Sequence, residues 1–512
     1  MQGAARGRKK KGAFSMKKAM KKLMAALLAV AMVCAMAIPA FAAVDITSHT
    51  FEAYQIFAGD LNEGTLSNVT WGHNVTTATL LNYLKTANAA YSACTDAKGV
   101  AEVLSNNPSL KYDFAKIAAD HVTGTAMATG TGSVTLPSAG YYLIVDTTDV
   151  ANKHDAKNLS LLQVSGATTV TPQVKTDIPT LQKKVKDKND SIGESATTGW
   201  QDSADYDIGD TIPYQLTATL GNVSNFDTYY VEFVDAMDHL TYNNITSVKV
   251  DNRTLNAGEY SSNWDSASKT LKVSIDNVKA YGATTGSQIV VEYTATLDSD
   301  AVIGSTGNPN TAYLIFSNNP NGTGTGKTAP DKNIVFTYKV IANKVDEHDK
   351  PLPGAAFALY KKLPTVPTNG TSYVLQDNEP YALIKELNVG VGGKVENETR
   401  TNFEWDGIDD GDYMIKEIIT PAGYNTIEPI KFTVTATHET NADDPKFTEL
   451  LGGNDFTGAV STGALTANIQ NRMGSTLPGT GGIGTTIFYV VGGGLMVAAG
   501  ILLITKKRME NR

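Results

Sequence analysis

The sequence predicts an all-β protein built from tandem β-sandwich domains, the first of them with some helix. Three observations carry this. The chain between its two ends is rich in Thr, Val, Tyr and Gly; its apolar residues alternate with polar ones over short runs; and turn clusters such as "NNPNGTGTG" and "GGKVEN" separate those runs. At 512 residues the chain is too long for a single core of this kind. Joints rich in Pro, Gly or Asn divide it into a first domain over residues 43–175, a second over 176–330 and a third over 331–473. Helical periodicity is confined to the first domain, over 77–104 and 110–121.

The two ends read as export and anchoring signals. Residues 1–42 hold nine Lys or Arg and no acid, then an apolar run, then Ala40-Phe41-Ala42, the pattern of a secretory signal cut after Ala42, with Met16 as an alternative start. At the other end the uncharged run "IFYVVGGGLMVAAGILLI" (487–504) is long enough to span a bilayer and is followed at once by Lys506, Lys507 and Arg508. Removing the nine basic charges of residues 1–42 and the net three of the tail from the total of −9 leaves about −21 on the exported part. That sign excludes a nucleic-acid partner, because phosphate binding needs the opposite one. Cys34 lies in the signal and leaves Cys94 alone, so no intrachain disulfide can form. Durability outside the cell then needs another source.

A glutamate in an apolar strand raises the question of chemistry. In "GDYMIKEIITPAGY" (411–424), Tyr413, Ile415, Glu417 and Ile419 share one face. A carboxylate buried without a partner costs several kcal/mol or stays protonated. A weak internal repeat points the same way: "KKVKDKND" (183–190) parallels "NKVDEHDK" (343–350), and "GYYLIVD" (140–146) parallels "GDYMIKE" (411–417).

These motifs carry a family resemblance. "LPGTGG" (477–482), with the spanning run and "KKR" behind it, resembles the sorting signal of sortase-processed surface proteins of Gram-positive bacteria. "YMIKEIITPAGY" resembles the E-box of Gram-positive pilins, and "KVDEHDKPLPGAAFALYKK" (344–362) resembles the first strands of their collagen-adhesin B-type domains. "GWQDSADYDIGDTIPYQLTATL" and "NTAYLIFSNNPN" extend the likeness through the middle domain, so the chain resembles a major, or backbone, pilin with immunoglobulin-like domains. The resemblance implies that a sortase reads Leu477 and Pro478, cuts between Thr480 and Gly481, and passes the Thr480 carboxyl to an amine. It also implies intramolecular isopeptide bonds, each between a lysine on a domain's first strand and an asparagine on its last, promoted by an acid.

Elementary chemistry supports such a bond. A lysine amine is nucleophilic only when neutral, and burial lowers its pKa. The same burial raises that of a neighbouring acid, which can then polarise an amide carbonyl and carry protons as ammonia leaves. Each domain reacts once, so the chain is not an enzyme in the turnover sense, and no cofactor or metal is called for. Strand parity selects Lys344, Glu417 and Asn471 in the third domain, Asn468 having the wrong parity. In the second it selects Lys183, Asp235 and Asn318, with Asn310 of equal parity as competitor and Lys184 as alternative to Lys183. The first domain carries Asp146 where Glu417 would sit, but "VDITSHTFEAYQIF" (44–57) has no lysine, so no such bond is expected there.

Major pilins also carry a linker lysine to which the next subunit is joined. Lys175, between Pro172 and Pro179, stands in that place, although the tryptophan and the tyrosine-proline-lysine word of the better-known motif are absent; Lys183 and Lys184 are the nearest substitutes. The expected partners are a pilus and a housekeeping sortase, further copies of the chain, minor pilins, peptidoglycan and a host surface ligand. The competing reading is a monomeric wall-anchored adhesin or minor pilin. "NGTGTGKT" (321–328) lacks both the first glycine and the strand-loop-helix frame of a phosphate loop.

Overall fold

A computed structural model describes residues 42–368, 370–474 and 483–510. The secretory segment up to residue 41 and the sorting residues Leu477, Pro478, Thr480 and Gly481 lie outside the described residues.

The first unit is a five-stranded sheet in which Thr50–Asn62 pairs with Thr65–Trp71, Ala128–Thr131 and Gly140–Asp146, the last pairing also with Leu161–Ser165. Helices Thr77–Ala87, Ala97–Asn106 and Lys111–His121 cover one face, burying Leu80, Leu84, Val100 and Phe114 against Ile56, Phe57 and Leu143. The single helix expected over 77–104 is thus two. Asn88 accepts the Ala90 N–H at 2.9 Å and turns the chain, and Asp96 caps a new helix by accepting the Gly99 N–H at 2.8 Å.

The middle unit is a sandwich. One sheet runs in the order Thr180–Val185, Thr211–Thr219, Gln288–Leu297, Leu240–Val250 and Arg253–Thr254. The other runs Ser203–Asp205, Asp331–Phe336, Asn308–Ser317, Val231–Met237, Thr270–Ile275 and Ser261–Asp265, with Thr325–Lys327 on Asn308–Ser317. Strict alternation in Gln288–Leu297 and Asn308–Ser317 sends Val291, Tyr293, Leu314 and Phe316 into the core between them. That core continues into the first unit through Phe51, Tyr142, Ile144 and Ile178.

Two expectations at the joint behind it are corrected. Strand Asp331–Phe336 pairs within the middle sheet, which carries that unit past the expected boundary at 330. The stretch read as an Asn/Gly/Thr linker folds back as a short strand, and its main chain bonds the first unit from Lys327 N–H to Lys153 O and from Asn152 N–H to Thr325 O, 2.9 Å each. Turn residues permitted a loop; the unpaired backbone of the neighbouring segment made it a docked hairpin.

The third unit is a second sandwich. Its smaller sheet holds Asn402–Ile408, Tyr338–Val345, Ala464–Gln470 and Thr457–Ala459; its larger holds Val374–Gln376, Glu379–Leu387, Ala356–Lys362, Gly411–Ile419, Ile430–His438 and Phe447–Leu451. Its first strand, Tyr338–Val345, runs parallel to its last, Ala464–Gln470, with Lys344 opposite Ile469. Middle and third units meet closely at Gly411, where φ is 141° and an added Cβ would lie 2.6 Å from Ser191 Oγ. Beyond residue 482, Ile483–Glu510 is a helix whose segment Val490–Lys507 is long and apolar enough to cross a membrane.

Candidate functional site

In the third unit the three residues selected by parity converge in the core. Lys344 is 1% exposed, Glu417 3% and Asn471 0%. The Lys344 ammonium donates to the carbonyls of Ile469 (2.8 Å) and Val345 (3.1 Å), and Asn471 N–H donates to Val345 O (3.0 Å), so the lysine and the asparagine are tied to one stretch of backbone. Asn471 Nδ2 lies 2.9 and 3.0 Å from the two oxygens of Glu417, which reaches across from the other sheet. Glu417 is held by Thr420 Oγ1 and Ile427 N–H, both at 3.2 Å. Burial pulls the Lys344 amine down to about 8, against the opposing pull of Glu417 and Asp346. Asn471 Oδ1 is buried without a partner. Exchanging the amide's O and N would turn that carbonyl towards the acid, the orientation a proton donor needs.

In the middle unit the site is built around Tyr293. Lys183 Nζ donates to Asp235 Oδ1 (2.9 Å) and Oδ2 (2.7 Å) and to Tyr293 Oη (2.9 Å), and Tyr293 donates to Asp235 Oδ2 at 2.5 Å. The third member is Asn310, whose Nδ2 donates to Tyr293 Oη at 2.8 Å and whose Oδ1 is buried unpaired. Burial lowers the Lys183 pKa although Asp235 opposes it, and it raises that of Tyr293. Stacked Tyr214 and Tyr293, 5.3 Å apart, wall the amine.

The assignment of Asn318 is corrected by this geometry. Asn318 lies at the joint with the first unit, donating from Nδ2 to Val150 O (2.8 Å) and Asp155 O (3.1 Å). Parity could not separate it from Asn310, because both face the core along one strand. Register does: Met237 pairs with Asn310 and Asp235 with Ala312, which leaves Asn318 six residues, about 20 Å, further along. Lys184 points elsewhere, to Asp202 at 2.5 Å. The sequence reading missed Tyr293 entirely; its only signal was a core-facing hydroxyl in need of a partner.

In the first unit, the buried Asp146 is paired with His49 instead of a lysine: Nδ1 lies 2.7 Å from Asp146 Oδ2, and Nε2 lies 3.1 Å from Asp155 Oδ1. Lys175 is exposed in the segment between the first and middle units.

A charged seam that the sequence did not reveal joins the middle and third units. Lys361 Nζ sits 2.5 Å from Asp409, 2.7 Å from Asp207 and 3.4 Å from Asp190, while His438 Nε2 lies 3.4 and 3.5 Å from Asp187 and Asp205. The carboxylates around Lys361 have a metal-like spacing, but the ammonium already stands among them. Burial, then Asp207, raises Asp210 to about 6; burial, then Asp205, does the same to Asp410. Burial alone would lower His438, yet its two aspartates raise it from 6.5 to about 10.

Each of these carboxyls binds its proton more tightly folded than unfolded, so folding is favoured as pH falls from neutrality through about 6. His438 acts in the same direction: its contribution is complete below 6.5 and is lost as pH rises through about 10. The melting temperature is therefore expected to be higher at about pH 5.5 than at about pH 7.5, with Asp410→Asn flattening the dependence. A melting temperature that rises from about pH 5.5 to about pH 7.5 would refute it.

Residues 338–446 match the SpaA family of prealbumin-like fold domains, and residues 471–511 match the LPXTG cell wall anchor motif. The chain is 25% identical over 427 residues to the trypsin-resistant surface T6 protein of Streptococcus pyogenes serotype M6, across 66% of this chain and 70% of that protein. Similar solved structures include the T6 backbone pilin of S. pyogenes serotype M6, with TM-score 0.48 and 16% identity over 85% of this chain and 98% of that one. Another is the full-length major pilin SpaD of Corynebacterium diphtheriae, with TM-score 0.42 and 18% identity over 84% and 94%. The chain thus carries a cell wall anchor motif behind a prealbumin-like domain, and over most of its length it is similar to a streptococcal surface protein.

Proposed function

We propose that the chain is the shaft subunit of a covalently polymerised pilus, joined from Thr480 of one copy to Lys175 of the next and hardened by isopeptide bonds Lys344–Asn471 and Lys183–Asn310. One observation carries the reading: both sandwiches bring a buried lysine of lowered pKa, a buried acid and a buried asparagine amide together. In each, the neutral Nζ attacks the asparagine Cγ, a new C–N bond forms, the old carboxamide C–N bond breaks, and ammonia leaves with a proton relayed from Nζ by Glu417 or Asp235. Folding supplies the proximity.

The two bonds would serve different mechanics. Lys344–Asn471 ties neighbouring parallel strands of one sheet, so tension passing from first to last strand bypasses the third sandwich. Lys183–Asn310 ties the two facing sheets of the middle unit and leaves the strands after Asn310 under load. Pilus and housekeeping sortases, other copies, minor pilins and peptidoglycan are the partners this role requires, with a host surface ligand as a further one.

Boiled wall extracts test the polymer: a high-mass ladder is expected, and a single band would replace the shaft with a monomeric adhesin. Intact mass tests the bonds. The ectodomain is expected to be lighter than its sequence by two ammonia. Asn310→Ala should restore one of them and Asn318→Ala none; the reverse pattern would return the role to Asn318.

A further inference from the structure

Lys175 combines an exposed side chain with a backbone fixed on both sides. The fully buried Asn158 accepts the Lys175 N–H at Oδ1 (2.7 Å) and donates from Nδ2 to Gln173 O (2.8 Å). Asn225 donates from Nδ2 to Lys175 O (2.7 Å). Asn158 is anchored in turn: its N–H donates to Asp146 Oδ2 (2.7 Å), the oxygen that also meets His49, and its carbonyl accepts from Asn321 Nδ2 (2.9 Å). Where the first unit lacks a lysine to cross-link, its buried acid thus supports the clamp on the linker.

An ordinary linker has its backbone groups solvated; here one buried side chain spends both its donor and its acceptor on two linker residues. A lysine entering an enzyme's cleft must arrive with its backbone ordered, and a segment already ordered has less freedom to lose. We propose that Asn158 and Asn225 are positioning residues that hold Lys175 for transfer, an inference that rests on the reading of Lys175 as acceptor. In the step they serve, the neutral Lys175 Nζ attacks the thioester carbonyl that joins Thr480 of another copy to the sortase cysteine. The amide C–N bond forms, the C–S bond breaks, and the amine's proton passes to the departing thiolate.

Because one chain is both donor and acceptor, the two roles can be separated. Full-length chains carrying Thr480→Ala act only as acceptor and chains carrying Lys175→Arg only as donor, and their co-expression with the sortase yields a cross-linked dimer. Asn158→Ala in the acceptor copy is expected to lower dimer yield about tenfold, and in the donor copy to leave it unchanged. Asn225→Ala, at a half-buried position that does not threaten folding, should show the same asymmetry. Equal losses in both copies would mark a merely structural role and overturn the inference. No loss in either copy, with Lys175→Arg still blocking acceptance, would overturn it while sparing Lys175. Acceptance by the Lys175→Arg chain would overturn the acceptor reading itself.

Discussion

Lys175→Ala is expected to collapse the high-mass ladder of wall extracts to a single wall-linked band. The expectation rests on which amines near the joint are free to react. Lys183 is 0% exposed and bonded to Asp235 and Tyr293; Lys184 has a side chain 14% exposed and is paired with Asp202. Neither can enter a sortase cleft without breaking a buried ion pair, which costs several kcal/mol. Of these three lysines, only Lys175 is exposed and can enter the cleft as it stands. Lys175→Arg should fail equally, since a guanidinium stays protonated and is no nucleophile. Monomer should still reach the wall, because donation through Thr480 does not involve Lys175. A ladder surviving both substitutions would move the acceptor elsewhere, while loss of the monomer band as well would indicate misfolding rather than loss of the amine.

Legibility in the sequence followed the physics of period two. Where a strand buries one face, parity alone puts Lys344, Glu417 and Asn471 on the core side, and the structure brings them together. Parity says nothing about position along the strand. Asn310 and Asn318 are therefore equivalent until the pairing of Val231–Met237 with Asn308–Ser317 fixes which one faces Asp235. Contacts between units were hidden for a related reason. Lys361, Asp207 and Asp409 come from three separate segments, and nothing local in any of them signals that they meet. The 318–327 stretch shows the limit of turn chemistry: Asn and Gly report that the chain can bend there, whereas the open backbone of residues 152–153 determines what it bends onto.

Glu417→Ala should leave the third unit folded but uncross-linked, raising the ectodomain mass by one ammonia. Two losses would combine. The site loses the carboxylate that lies against the Asn471 amide, and the chain loses a covalent loop of more than about a hundred residues, for which the chain-entropy model gives roughly 4–5 kcal/mol. Glu417→Gln separates them: it keeps the shape and a hydrogen-bonding oxygen but cannot take a proton from Nζ, so it should lose the bond while keeping most of the packing. Lys344 then decides whether the acid acts through chemistry. With its amine at about 8, bond formation in the native chain should quicken as pH rises towards that value, because only the neutral amine attacks. Adding Asn471→Ala to Glu417→Ala should cost little further stability, since a bond already missing cannot be lost twice. An unchanged mass deficit in Glu417→Ala would show that Lys344 and Asn471 react without the acid, and the role assigned to Glu417 would fall.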